Sequence, residues 1–144
     1  GNTWTVTASN TGSVSNLTGT FAGMANLSDT NNGSLKSTSA TYTLTASNTG
    51  SLSLLTGTFA GMGTLSDTGG GTLKTTGGTY TLTASNTGSV TNLTGTFAGM
   101  ANLSDATGGT LNASVTAGQK TPVPFVVVNS GTAPVRNLAF VTRR

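Results

Sequence analysis

The chain has 144 residues and a formal net charge of +3, only 6% of its residues are charged, and it contains no cysteine or histidine. These absences exclude thiol catalysis, imidazole bases and Cys/His metal sites. The few cations form no basic patch interleaved with aromatic residues, so we expect no nucleic-acid binding. The longest fully apolar runs have four residues, against the roughly 20 that a membrane helix needs, so we expect no membrane span.

A strand followed by a turn is the first predicted element, and it occurs three times. Residues 41–46 alternate polar and apolar side chains, which predicts a strand with Tyr42 on its apolar face. Residues 47–50, Ser-Asn-Thr-Gly, predict a turn because Asn and Gly tolerate positive φ. Copies of the whole pattern begin at Thr3 and Thr79.

The rest of each repeat is also predicted to be β. Short strands are expected at Met62–Leu65 and Gly71–Lys74, for example. No stretch keeps the period of a helix, and the 21 glycines recur too often for helices. The predicted fold class is therefore all-β.

A period of about 38 residues is the main signal in the sequence, and a fixed period of this length is typical of stacked units. The segment Thr-Gly-Thr-Phe-Ala-Gly-Met occurs three times at this spacing, together with its flanking residues. We therefore divide residues 1–114 into three β repeats and assign the remainder to a diverged C-terminal β unit. The divisions are 1–40, 41–78, 79–114 and 115–144.

A weaker period of about 19 residues, half of the main one, lies inside the repeat. Large and small side chains alternate at this spacing, as at Trp4, Gly23, Tyr42 and Gly61, and such alternation would let stacked coils interdigitate. It predicts a β-solenoid of about 19 residues per coil. The alternative that the sequence leaves open is an antiparallel β-sandwich built of hairpins. In the solenoid, a structural turn ladder is predicted at Asn10, Asp29, Asn48, Asp67, Asn86 and Asp105.

Aromatic and methionine side chains form the predicted core. Each fully buried Phe or Met contributes about 1.5–3 kcal/mol, which offsets the missing disulfides. A second interpretation applies to the Trp and Tyr residues, which would form a row on which sugars stack. The predicted core consists of Trp4, Tyr42, Tyr80, Phe21, Phe59, Phe97, Met24, Met62 and Met100.

The C-terminal unit breaks the register of the repeats. Its prolines suit an edge strand or a cap that blocks further pairing. Its most hydrophobic strand is predicted either to cap its own chain or to insert into a neighbouring chain by strand addition. This candidate assembly strand comprises Phe125, Val126, Val127 and Val128.

Short blocks of the repeats resemble known surface proteins. Thr-Gly-Ser-Val-Ser-Asn-Leu-Thr-Gly-Thr-Phe, followed by Asn-Leu-Ser-Asp and Gly-Gly-Thr-Leu, is similar to the β-strand repeats of filamentous-haemagglutinin-like and autotransporter adhesins. The resemblance implies a secreted β-solenoid stalk that serves adhesion, biofilm or surface structure. Tyr-Thr-Leu-Thr-Ala-Ser-Asn-Thr-Gly also resembles strands of Ig-like surface repeats.

We therefore expect an extracellular structural protein that assembles with itself into a surface filament or stalk. We expect no catalytic residues, metal or cofactor, because the three carboxylates occupy one register of the repeat as solvated turn residues. One alternative is an adhesin that binds surface glycans or a host surface. Another is an ice-binding protein, since Thr recurs on one strand face, or a functional-amyloid repeat.

Overall fold

The structure is a computed structural model that describes residues 1–116, 126–129 and 139–143. Within these residues the regular structure is entirely β, with no helix. The strands are β1 (Thr3–Ala8), β2 (Thr11–Val14), β3 (Leu27–Ser37), β4 (Thr41–Ala46), β5 (Thr49–Leu52), β6 (Phe59–Thr75), β7 (Thr79–Ala84), β8 (Thr87–Val90), β9 (Phe97–Asp105), β10 (Thr110–Thr116), β11 (Val126–Asn129) and β12 (Ala139–Arg143).

Each repeat begins with a two-stranded hairpin. Strand β4 pairs antiparallel with β5 and places Tyr42 opposite Leu52. The turn residue Asn48 has a φ of 54°, a left-handed conformation that Asn tolerates better than most residues because its short side chain can bond locally. Asn10 and Asn86 have the same conformation, with φ of 52° and 54°. A turn therefore forms within each Ser-Asn-Thr-Gly segment, at its Ser and Asn, while its Thr and Gly begin the second strand of the hairpin.

Parallel pairing stacks the chain into coils. The first strand of each hairpin lies beside a strand near the end of the same repeat, while β3 pairs with β6 and β6 pairs with β9 between repeats. The equivalent pairs Trp4–Leu35, Tyr42–Leu73 and Tyr80–Leu111 each join residues that are one coil apart. The protein is thus a β-solenoid with about 31 residues per coil, and the hairpins of the alternative sandwich are present as parts of the coils.

The coil length predicted from the weaker period is wrong. Each hairpin reverses the chain, so that β5 lies antiparallel beside β4 instead of starting a new coil. Tyr42 accordingly lies between Leu52 and Leu73 and does not stack on Gly61. Glycine does lie beside an aromatic residue, but that residue is phenylalanine, as in the pair of Gly50 with Phe59.

The predicted turn ladder is also wrong as a single stack. It comprised Asn10, Asp29, Asn48, Asp67, Asn86 and Asp105. The three Asn residues lie in hairpin turns, whereas Asp67 and Asp105 pair with Ser37 and Thr75 of neighbouring strands. The half-period therefore relates hairpin turns to positions within strands that have similar local sequences.

The core runs along the inside of the stacked coils. Its largest fully buried side chains include Tyr42, Phe59, Phe97, Met62 and Met100, while Phe21 and Tyr80 are also buried and Trp4 packs half-buried against the cluster. The prediction of Met24 as a core residue is wrong, because its side chain is 52% exposed, compared with 0% for Met62 and 2% for Met100.

Two C-terminal strands pair with the last strands of the third repeat. Strand β11 pairs parallel with β9, placing Val127 beside Leu103, and β12 pairs parallel with β10. Of the candidate assembly strand, Val126–Val128 therefore pair with their own chain, and Phe125 lies outside the described residues.

Candidate functional site

Each repeat carries one aspartate that binds the backbone just before a hairpin. Asp67 is buried, and its Oδ1 accepts hydrogen bonds from the backbone N–H groups of Ser39 and Gly69, each at 2.8 Å. Its Oδ2 accepts the N–H of Ala40 at 2.9 Å. These charge-assisted hydrogen bonds hold the start of β4 against the part of β6 around Asp67.

The aspartates of the other repeats make equivalent contacts. Asp29 accepts hydrogen bonds from the N–H groups of Asn2 at 2.7 Å and Asn31 at 2.8 Å, and from Trp4 Nε1 at 3.1 Å. Asp105 accepts hydrogen bonds from the N–H groups of Gly77, Gly78 and Thr107 and from Thr75 Oγ1, at 2.7 to 3.0 Å. All three carboxylates thus have the same structural use.

The hydrogen bonds keep two of these carboxylates ionised. Those from Asn2 and Asn31 lower the pKa of Asp29 to about 2, with burial opposing the shift and the Trp4 indole adding to it. Burial acts to raise the pKa of Asp105, but hydrogen bonds led by that of Gly78 outweigh it, and the pKa is lowered. Both carboxyl groups are therefore ionised at neutral pH, whereas a general acid must be protonated.

We expect the protein to lose stability in acid. The pKa of Asp29 is about 2 in the folded state and 3.8 ordinarily, so between these values the folded protein binds fewer protons than the unfolded chain. The stabilisation is complete above about pH 4 and is lost as the pH falls through about 2. Asp105 acts in the same direction. Urea unfolding followed by circular dichroism across this range measures the loss.

The variant Asp29→Asn is the control for the acid experiment. It lacks the titrating group, so its free energy of unfolding should fall less steeply with acid than that of the wild type. Equal slopes for the two proteins would contradict the assignment to Asp29.

The aromatic residues are used inside the solenoid. The Tyr42 hydroxyl donates to the carbonyl of Ser66 at 2.6 Å, and the Tyr80 hydroxyl donates to that of Ser104 at 2.8 Å. Burial raises the pKa of Tyr80 to about 12, so the phenol remains a donor at neutral pH. Trp4 is half-buried with its indole N–H on Asp29. These side chains therefore do not form an exposed row for sugar stacking.

The hairpin asparagines join one repeat to the next. Asn10 Nδ2 donates to Thr56 Oγ1 at 3.0 Å, and its Oδ1 accepts the N–H of Thr56 at 2.9 Å. Asn48 and Thr94 repeat both contacts, each at 2.9 Å. The backbone N–H of each Asn also donates to the next repeat, to the carbonyls of Leu54 and Asn92 respectively. Each junction thus has the same hydrogen-bonded clamp.

The second and third repeats bury the same side chains at these junctions. Leu27 pairs with Phe59 at the first junction, and Leu65 pairs with Phe97 at the second. The leucines that follow the second and third hairpins are covered as well, since Leu55 is 7% and Leu93 is 6% exposed. A junction therefore combines a parallel strand pair, a buried leucine and an Asn–Thr clamp.

The first repeat presents these junction residues to solvent. We call residues 15–24 the first-repeat edge. All of its residues except Phe21 are exposed, and Leu17 and Met24 are the two large hydrophobic residues with the greatest exposure, 45% and 52%, among those whose burial is described. Within residues 1–116, no Asn side chain is hydrogen-bonded to Thr18, in contrast to Thr56 and Thr94.

The sequence reasoning found the Asn and Asp positions but missed what they bind. Asp67 reaches back to Ser39 and Ala40, and Asn48 reaches forward to Thr94. The only signal available was that both partners recur with the period of the repeats. Because many other Ser and Thr residues recur in the same way, the period alone does not identify the pairs.

The described residues hold neither a candidate metal cluster nor a helix that could cross a membrane. They contain no group of three His, Cys, Asp or Glu side chains that could hold a metal ion. A search of the same residues finds no helix of the length and apolarity needed to cross a membrane. No protein-family model, no curated protein and no solved structure matches the chain.

Proposed function

We propose that this protein is an extracellular structural subunit, or repeat segment, of a self-assembling surface filament or stalk, and not an enzyme. The supporting observation is that two successive junctions are built from the same contacts. The clamps Asn10–Thr56 and Asn48–Thr94 are equivalent, and so are the strand pairs β3–β6 and β6–β9. A junction that recurs unchanged can be extended by further repeats, which is how solenoids lengthen.

The chemistry of the side chains also favours a mechanical role. The chain's three carboxylates are engaged by backbone N–H groups, and the low content of charged residues removes the repulsion that normally keeps β edges apart. Secretion and a surface location belong to the same proposal and rest on the resemblance of the repeats to adhesin stalks.

Two of the three alternatives, the adhesin and the ice-binding protein, receive less support. A glycan-binding adhesin would use exposed aromatic rings, but Tyr42 and Tyr80 are buried. An ice-binding face would need threonines in register over several coils. The ladder of Thr5 continues with Lys36 and Ser66, and the ladder of Thr41 and Thr72 continues with Asn102.

Electron microscopy of the full chain over a concentration series tests the proposal. We expect unbranched filaments, with fibre diffraction showing a spacing of about 4.8 Å along the axis from the stacked strands. Binding on a glycan array by a protein that stays monomeric at every concentration would favour the adhesin and overturn the filament proposal.

A further inference from the structure

The first-repeat edge is an internal junction surface without its neighbour. Met24 has the same local sequence as Met62 and Met100, yet it is exposed where they are buried. Phe21 makes only an isolated bridge to Gly12, whereas its equivalents belong to the strands β6 and β9. The edge therefore lacks the neighbouring coil that covers its equivalents.

The glycines of the edge show the room left for that coil. A Cβ added at Gly57 or Gly61 of the second repeat would overlap Asn26 or the backbone oxygen of Asp29, both of which belong to the preceding repeat. At the equivalent Gly19 and Gly23 an added Cβ meets nothing within 4 Å. Gly23 nevertheless keeps a φ of 71°, close to the 69° of Gly61. The first-repeat edge thus has the backbone conformation and the free space that Gly57 and Gly61 use to contact the segment around Asp29.

We infer that the first-repeat edge docks on the third repeat of a second copy of this chain, head to tail. This inference rests on the proposed function and names the interface that would build the filament. The contacts between the two copies follow from those at the internal junctions, moved along by one repeat. Thr18 would take the place of Thr94 and bind Asn86 of the second copy, and Phe21 would take the place of Phe97 and pair with its Leu103.

The third repeat presents a matching surface. Asn86 has the same turn conformation as Asn10 and Asn48, and within the described residues its side chain makes no hydrogen bond like theirs to a threonine. The carbonyl of Asn86 accepts the N–H of Met100, just as that of Asn48 accepts the N–H of Met62. Asn86 of the third repeat therefore has the conformation that it would need to form an Asn–Thr clamp with a fourth repeat.

Strand β11 holds the docking position within its own chain. Val127 pairs with Leu103, and Val128 pairs with Ser104, as Phe97 and Ala98 pair with Leu65 and Ser66. An incoming Phe21 would need the same edge of β9. Head-to-tail docking therefore displaces β11, which makes this strand a competitor that limits assembly.

Cysteine crosslinking tests the docking directly, because the chain has no native cysteine. We expect the full chain carrying Thr18→Cys and Asn86→Cys to give a ladder of disulfide-linked oligomers on oxidation. The matched control carries Thr18→Cys and Ser85→Cys, where Ser85 is exposed and next to the clamp residue, and should give at least about tenfold less crosslinked product.

Two further changes separate docking from chance collision. Gly19→Val, placed in open space, should leave the monomer folded. It should reduce the crosslinked fraction about tenfold or more by blocking Asn102 of the second copy, the counterpart of the Asn26 that lies against Gly57. Val127→Pro removes a backbone donor from β11 and should increase crosslinking. Sedimentation of the wild-type protein at rising concentration measures the same association without a substitution in β11. We expect the sedimentation coefficient to increase with concentration.

The outcomes distinguish this inference from the proposed function. Crosslinking that is equal at residues 85 and 86, or unaffected by Gly19→Val, overturns the inference. Filaments that persist in Gly19→Val leave the proposed function standing on another interface. Specific crosslinks that stop at dimers, with no filaments, support the inference and count against the filament. Monomers under all conditions overturn both.

Discussion

The variant Gly61→Ala is expected to lower the free energy of unfolding by about 2–5 kcal/mol. Gly61 has a φ of 69°, and an alanine in this region costs about 1–2 kcal/mol. Its Cβ would also overlap the backbone oxygen of Asp29 in the neighbouring strand. Because backbone atoms cannot rotate away, the pairing of β3 with β6 must shift, which adds a cost of about 1–3 kcal/mol.

Gly23→Ala is the matched control for this variant. Gly23 has the same local sequence and a φ of 71°, but an added Cβ meets nothing within 4 Å. It should lose only the conformational part, about 1–2 kcal/mol. Urea unfolding monitored by circular dichroism compares the two, with protein concentration kept low enough that both remain monomeric. Equal losses of stability in the two variants would mean that the backbone of Asp29 does not lie against Gly61.

The hairpins were predictable because their signal is local. Ser47 to Gly50 contains an Asn followed two residues later by Gly, and the strand before it alternates strictly. These features act within a few residues, so stacking does not change them. Strand β4 accordingly spans residues 41–46, as the alternation predicts, and Asn48 adopts the left-handed conformation.

The coil length was not predictable from the period of the sequence. The coil is shorter than the repeat, since Tyr42 pairs with Leu73 while its equivalent in the next repeat is Tyr80. Equivalent residues of successive repeats therefore lie on different ladders. Trp4 is on a ladder with Leu35 and Leu65, for example, and Tyr42 is not on that ladder. Periodicity reports which residues are equivalent, but the hairpin decides which residues are neighbours.

Exposure at the ends of the stack was also beyond sequence reasoning. Met24 and Met100 have identical neighbours from Thr-Gly-Thr to Leu-Ser-Asp, and the presence of a preceding coil distinguishes them. A repeat protein buries its residues mainly against adjacent repeats. The same sequence therefore gives a core residue in the middle of the stack and an exposed one at its edge.

The aspartate contacts were missed for a related reason. Asp29 and Asp67 were predicted to be solvated turn residues, since they share one register of the repeat. The structure buries both and brings backbone N–H groups to them from 27 or 28 residues earlier in the chain. Contacts over such a distance depend on the coil length, and an incorrect coil length hides them.

The variant Asp67→Ala is expected to lower the free energy of unfolding by about 3–4 kcal/mol. It removes the acceptor for three backbone N–H groups, those of Ser39, Ala40 and Gly69. Ala40 is buried, so its N–H would be left without a partner at the full desolvation cost, while the other two residues are exposed and can turn to water. The loss would loosen the start of β4 and with it the second hairpin.

Two companion variants make the Asp67 experiment decisive. Asp67→Asn keeps one acceptor oxygen without the charge, so it should lose roughly half as much stability, because hydrogen bonds to charged groups are stronger than neutral ones. Ser47→Ala changes an exposed turn residue of the hairpin that follows and should stay within about 0.5 kcal/mol of wild type. Chemical denaturation at pH 7 gives all three values. If Asp67→Ala lost no more stability than Ser47→Ala, the carboxylate would be a solvated turn residue after all.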